Sequence, residues 1–381
     1  MMRRKEENIG QQGVKQRNSS LELLRIISMI MIIISHYSVH GTTKTFGAEL
    51  TINKLIIDSS NFGALGVAIF VMISGYFMCE KRFDIRRVVN IVISTVSYSV
   101  VLYIIFVCIG EAKLGVTSII HAVFPVVTGE YWFVTSFVIL MFLSPFINRL
   151  LENMSRNELL IMIAVSTVIF FLFNTISFSY IDLASNGSHT IRFIIYYCIG
   201  AYVKKYPDNA FSVKKRSIPI LCISFLLMFI SVVIMDILGT KVAFFDNKSS
   251  HFYTSISLLM LFVATMFLIV FSNTTPFYNR IINIFGGCTF GVYLLHDNNY
   301  VRTWLWSEVL NNSLYYDSKL LIVHFAVSVI IVYLCCTCIE YIRKYMIEKY
   351  VFNRIINRIN LIVCDVELKI KNLLYNVIQK Y

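Results

Sequence analysis

Charge is scarce in this sequence: Asp, Glu, Lys and Arg make up 15% of its 381 residues, where soluble globular domains carry about 25%. With 57% hydrophobic residues and a mean hydropathy of +0.70, an ordinary soluble domain is excluded. The signatures of common soluble enzymes and ATPases are missing as well. No HExxH, GxSxG, Walker loop or GxGxxG occurs, so no local motif supplies a zinc, a nucleophile elbow or a phosphate cradle. The nine Cys lack the two separated CxxC pairs of a zinc site and read as small apolar packing residues. There is no low-complexity linker, no repeat legible by eye and no cleavable signal peptide: residues 1–20 are polar and basic, and the apolar run that follows is long enough to stay as a span.

What is present is a series of apolar runs. A bilayer needs about 17–25 predominantly apolar residues per helix. Such runs, or shorter ones able to complete a span, fall near 21–39, 62–79, 88–109, 131–150, 159–178, 190–203, 218–238, 253–272, 282–297 and 319–339. The expected fold is therefore an all-α, polytopic bundle of about ten transmembrane helices. The runs at 190–203 and 282–297 are short and need tilt or local bilayer thinning. Val116 to Val127 contains Pro125, is too short to span and reads as a re-entrant or interfacial piece. Most of the 34 Lys and Arg fall in alternate segments: before helix one, in Lys81 to Arg87, in Lys204 to Arg216 and in the tail. By the positive-inside rule this places both termini in the cytoplasm. The formal net charge of +12 then belongs mostly to the inner face, suited to anionic lipid head groups or an anionic cytosolic ligand and not to nucleic acid. The expected organisation is a cytoplasmic segment at 1–20, a transmembrane domain at 21–340 and a basic amphipathic tail at 341–381 lying on the inner leaflet. No soluble catalytic domain is appended, so any chemistry falls to membrane residues and short loops.

Ionisable residues inside apolar runs are costly, about 2.5–3.5 kcal/mol at the bilayer centre on insertion scales, and default to functional readings. Arg25 and His36 lie eleven residues apart in the first run. At about 100° per residue they return to one helix face, roughly 16 Å apart along the axis. Glu22, three residues before Arg25, is placed to pair with it, and Ser19 to Glu22 reads as a capping box. His36 has the side chain best suited to a general base near neutral pH; the plainer reading is a satisfied histidine at a helix end. The loop Lys81-Arg82-Phe83-Asp84-Ile85-Arg86-Arg87 offers guanidinium forks suited to phosphate oxygens, or simply a topogenic loop. Tyr131 and Trp132 are candidate ligand-facing aromatics or interfacial belt residues, with Pro145 read as a helix-end residue. His296 and Asp297 are either a polar anchor for an extracytoplasmic ligand or a plain helix terminus. The other histidines, His40, His121, His189, His251 and His324, show no spacing that implies a metal.

Taken in order, these pieces resemble the integral membrane acyltransferase 3 family across most of residues 18–340. The resemblance rests on Arg25, ten residues and His36; on Ser74-Gly75-Tyr76; on the basic stretch Arg82 to Arg87; on Trp132 to Pro145; and on Tyr293 to His296. Arg87-Val88-Val89-Asn90-Ile91 departs from the proline-containing sequence that follows the basic loop in many members, and the soluble esterase-like domain of many members is missing. The resemblance implies transfer of an acyl group, usually acetyl, from cytosolic acyl-CoA to a hydroxyl of a carbohydrate or lipid-linked glycan at the cell membrane. It implies catalytic roles for His36, Arg25 and Glu22, donor binding by Arg82, Arg86 and Arg87, and acceptor contacts from Trp132, His296 and Asp297. Acetyl-CoA is then a donor substrate, with no bound cofactor and no metal. The rival reading is a secondary transporter or flippase using Glu22, Arg25 and His36 as a proton or solute path.

Overall fold

The computed structural model describes residues 18–41, 50–178, 188–208, 211, 213–345 and, in the tail, 361, 365, 368 and 369. The tail helix expected at 341–381 therefore lies mostly outside the described residues. Among those described there is no strand. Their fourteen α-helices are α1 Ser19–Gly41, α2 Ile52–Ser59, α3 Gly63–Met78, α4 Ile85–Cys108, α5 Val116–Val123, α6 Trp132–Asn153, α7 Arg156–Thr167, α8 Phe173–Ser177, α9 Ser188–Lys205, α10 Lys214–Gly239, α11 Leu258–Ser272, α12 Arg280–His296, α13 Asn299–Thr303 and α14 Leu321–Ile342. A π-helical stretch, Val168–Leu172, joins α7 to α8, and another, Trp304–Val309, follows α13.

All ten apolar runs are helical over most of their length. Among the described residues, seven helices are long and apolar enough to cross a membrane, with α2 and α3 counted together as Ile52–Met78 and α7 through α8 as Arg156–Ser177. The remaining three runs correspond to α9, α11 and α12. The fifteen residues of α11 rise only about 22 Å against a hydrocarbon core of about 30 Å. Large apolar side chains are exposed along α4, α10 and α14, including Ile104, Ile223, Leu226, Ile322 and Ile330. Such a surface suits lipid and not water.

Local chemistry sets the helix starts. Thr51 caps α2, Asp84 caps α4, Ser257 caps α11 and Asn279 caps α12 through their side-chain oxygens, each satisfying a backbone N–H that the helix cannot. Ser155 and Glu158 form a reciprocal capping box at α7. At α1 the expected box does not form. Asn18 Oδ1 accepts from Ser20 N and Glu22 is drawn to Arg25, while Ser19 Oγ accepts from Asn279 N at 2.7 Å and ties α1 to the start of α12. Pro145 is also not a helix-end residue: α6 continues eight residues beyond it. Its ring removes the N–H that would reach the Met141 carbonyl, and Ser144 Oγ donates to that carbonyl at 2.8 Å instead.

α1 occupies the centre of the bundle, packed against α3, α11, α12 and α14. α3 is in turn clasped by α9, and the crossing is set by glycine. A Cβ on Gly75 would collide with the Tyr197 backbone carbonyl, and one on Gly200 with that of Met72. Small residues at reciprocal positions let two backbones approach this closely in a membrane. Gly75, part of the family-like Ser74-Gly75-Tyr76, thus has a packing role.

Candidate active site

α1 carries the two ends of the site. Near its N-terminus Arg25 Nη1 donates to Glu22 Oε1 at 2.8 Å, with the Arg25 side chain 21% exposed and that of Glu22 2%. The Arg25 guanidinium lies 5.4 Å from the Phe77 ring centroid, and Lys81 Nζ lies 5.8 Å from the same ring. A second buried pair stands nearby, since Gly286 of α12 packs on Glu22 and Gly291 on Glu340. Arg343 donates to both Glu340 oxygens at 2.6 and 2.9 Å.

At the far end of α1, His36 meets the C-terminal end of α12. His36 Nδ1 lies 3.1 Å from His296 Nε2, and His296 Nδ1 lies 2.6 Å from the Val292 carbonyl. The tautomers follow from these bonds. A carbonyl only accepts, so Nδ1 of His296 carries its proton and a neutral His296 offers a lone pair at Nε2. His36 then donates from Nδ1, which leaves the lone pair of a neutral His36 on Nε2. A neutral His36 thereby keeps its lone pair on Nε2, facing away from His296, which is the arrangement a general base would need.

Asp297 closes the cluster. Its Oδ1 lies 3.7 Å from His36 Nδ1, 3.9 Å from His40 Nε2 and 3.3 Å from Arg302 Nη1. Arg302 also donates to Asn299 Oδ1 at 2.7 Å. The donor atoms of His36, His40 and Asp297 all lie within 4.8 Å of one another, although the sequence reading found no metal-ligand spacing for His40. His36 and His40 stand one turn apart, four residues along a helix, and this i,i+4 spacing puts both imidazoles on one face.

The remaining site residues divide. His296 is fully buried and turns its Nε2 toward the His36 ring. Trp132, at the first turn of α6, is 40% exposed, and its ring lies 4.6 Å from that of His189. Its neighbour Tyr131 connects it to the cluster: the Tyr131 hydroxyl donates to the Leu294 carbonyl at 3.0 Å and accepts from Asn298 Nδ2 at 2.8 Å. Asn298, Arg302 and His40 are not singled out from sequence as site residues. The i,i+4 spacing could have revealed His40; Asn298 meets Tyr131 from a distant segment, and Arg302 joins the cluster only because Asp297 is brought to His36.

In the basic loop, a small pocket is lined by Lys81, Arg82, Asp84 and Arg87 with Met78, Phe83, Met141 and Ser144. Arg86 is turned to another task. It donates from Nε and Nη2 to the two Asp84 oxygens at 2.9 and 3.1 Å, and the same guanidinium holds the Asp84 carboxyl below the usual carboxylate range.

A family model described as an acyltransferase domain matches residues 18–341. The chain belongs to the acyltransferase 3 family. No curated protein and no solved structure matches it. The acyltransferase is a membrane protein by its apolar helices and its family, and the transporter alternative is not favoured. The matched region encloses both ends of α1, the basic loop, Trp132 and the α12 terminus, all of which the helical bundle assembles around one central helix.

Proposed function

We propose that this acyltransferase is an O-acetyltransferase of the cell membrane, moving acetyl from cytosolic acetyl-CoA to a hydroxyl of an envelope or exported polysaccharide or its lipid-linked precursor. The observation that carries the reading is the fixed tautomer of His36, whose Nε2 lone pair is free to take the proton of an attacking hydroxyl. The acceptor oxygen forms a bond to the acetyl carbonyl carbon, the C–S bond breaks, and the proton collected at His36 Nε2 passes to the leaving thiolate, regenerating the neutral base and releasing CoA. General base catalysis of this kind contributes about 10²–10⁴-fold.

The positive-inside orientation puts the Arg25 end of α1 and the Lys81 to Arg87 loop on the cytosolic side, with His36 about 16 Å farther along the helix. An extended pantetheine arm spans such a separation, so Arg25 steadies the donor near its entrance and does not reach the reacting carbonyl. Glu22 orients Arg25. Arg82 and Arg87, which line the pocket, are the principal phosphate contacts, and Arg86 supports the loop through Asp84. Trp132 offers an exposed ring face on which a sugar can stack, and Asp297 stands where an acceptor hydroxyl would be oriented.

The test is transfer by the purified protein in lipid vesicles supplied with radiolabelled acetyl-CoA and a de-O-acetylated surface-glycan preparation. Alkali-labile label in the glycan, with equimolar CoA release, is expected. Label uptake into the vesicle lumen without an ester product would instead favour transport.

A further inference from the structure

The cluster at the His36 end has the makings of a metal site whose occupancy would switch the base off. The geometry points to an inhibitory site for a nitrogen-preferring divalent metal, Zn²⁺ or a close relative, formed by His36, His40 and Asp297. Two imidazoles four residues apart on one helix, met by a carboxylate from a facing segment, are a donor set that Zn²⁺ accepts. Bonds of about 2.0–2.1 Å put tetrahedral ligand atoms roughly 3.3–3.4 Å apart. Asp297 Oδ1 lies 3.7 Å from His36 Nδ1 and 3.9 Å from His40 Nε2, so these edges close by roughly half an ångström. The His40 side chain, 25% exposed, has room to move inward.

Two neighbours complete the arrangement. His296 Nε2, 3.1 Å from His36 Nδ1, supplies a fourth lone pair, and its Nδ1–H is already braced on the Val292 carbonyl, the usual support of a metal-bound imidazole. Arg302 opposes the cation. Its hold on Asn299 at 2.7 Å is shorter than its 3.3 Å contact with Asp297, so it can release the carboxylate and keep an anchor. Imidazole donors select Zn²⁺, Cu²⁺, Ni²⁺ or Co²⁺ over Mg²⁺ and Ca²⁺.

Coordination through Nδ1 requires the proton of a neutral His36 to reside on Nε2. The lone pair that would receive the acceptor's proton is then gone, and the metal blocks transfer without touching the donor. Binding stands on the geometry alone; the inhibition rests on the acyl-transfer reading above.

The probe is Co²⁺ alone, titrated into the detergent-solubilised full chain and followed by visible d–d absorption. One tight, tetrahedral site is expected, displaced by Zn²⁺ and indifferent to Mg²⁺. His40→Ala and Asp297→Asn, each checked for folding by thermal melting, should weaken it by about tenfold or more, the scale of losing a group that supports a metal. In transfer assays, Zn²⁺ should inhibit reversibly, with EDTA restoring the rate. The inhibiting concentration should rise about tenfold in His40→Ala relative to that protein's own metal-free rate. Absence of Co²⁺ bands in the folded wild type, or equal affinity in both variants, overturns the site. Binding without inhibition overturns the switch and counts against His36 as the base, while leaving the site itself standing.

Discussion

Replacing His296 with Phe removes the acceptor for His36 Nδ1–H while keeping an aromatic ring of similar size in a fully buried position. The Val292 carbonyl loses its side-chain donor and the His36 Nδ1–H loses its acceptor. A net hydrogen bond between neutral groups is worth about 1 ± 0.5 kcal/mol, and about 1.4 kcal/mol corresponds to a factor of ten in rate. Without its acceptor His36 is free to place its proton on Nε2 or to rotate, and kcat should fall about fivefold. The KM for acetyl-CoA should hold, because the donor is bound near the other end of α1. His296→Gln keeps a side-chain carbonyl that can accept from His36 and should recover part of the loss. The assay is CoA release by matched amounts of each protein in vesicles, with melting temperatures measured alongside. Wild-type kcat in a folded His296→Phe protein would refute the tautomer argument. A loss of about a thousandfold or more would refute it differently, by making His296 itself the reacting base.

Other consequences follow from the same contacts. Arg82→Ala and Arg87→Ala should raise the apparent KM for acetyl-CoA, by about tenfold or more if each removes one charge-assisted phosphate contact of roughly 1.5–3 kcal/mol. Arg86→Ala should do so much less, since its Nε and Nη2 are directed at Asp84; equal effects from all three would undo this division. Gly75→Ala should abolish recovery of folded protein or lower its melting temperature by many degrees, because the added methyl meets the Tyr197 backbone; a wild-type melt would show that α3 and α9 do not cross this closely. Glu22→Ala removes the carboxylate oxygen to which Arg25 donates and should destabilise by up to about 3 kcal/mol, the low end for breaking a buried pair, given that the arginine is 21% exposed. Chemical denaturation in detergent measures it, and an unchanged midpoint would contradict the pairing.

The helical segments were legible because hydropathy is summed over many residues, and errors at single positions average out. Details resting on one residue were less so. Ser19 and Glu22 fit a capping box, yet other partners took both: Asn279 from the start of α12 engages Ser19, and Arg25 of the same helix engages Glu22. Pro145 suggested a helix end, yet Ser144 satisfied the carbonyl the proline leaves open, and α6 ran on. Within the site, Arg25 and Glu22 were readable because their pairing is local to one helix. His36 and His296 meet across a sequence separation of 260 residues, and only the fold shows that His296 supports His36 from behind. The role of Arg86 was obscured by composition: a cluster of arginines suggests phosphate, but Asp84 within it changes where one of them points.

The measurement closest to the central claim is the O-acetyl content of surface glycans in a strain lacking this acyltransferase, complemented with wild type or His36→Ala at matched membrane levels. The account predicts that acetylation is lost in the deletion strain, returns with wild type and stays absent with His36→Ala. Full acetylation restored by a stable His36→Ala protein would contradict it.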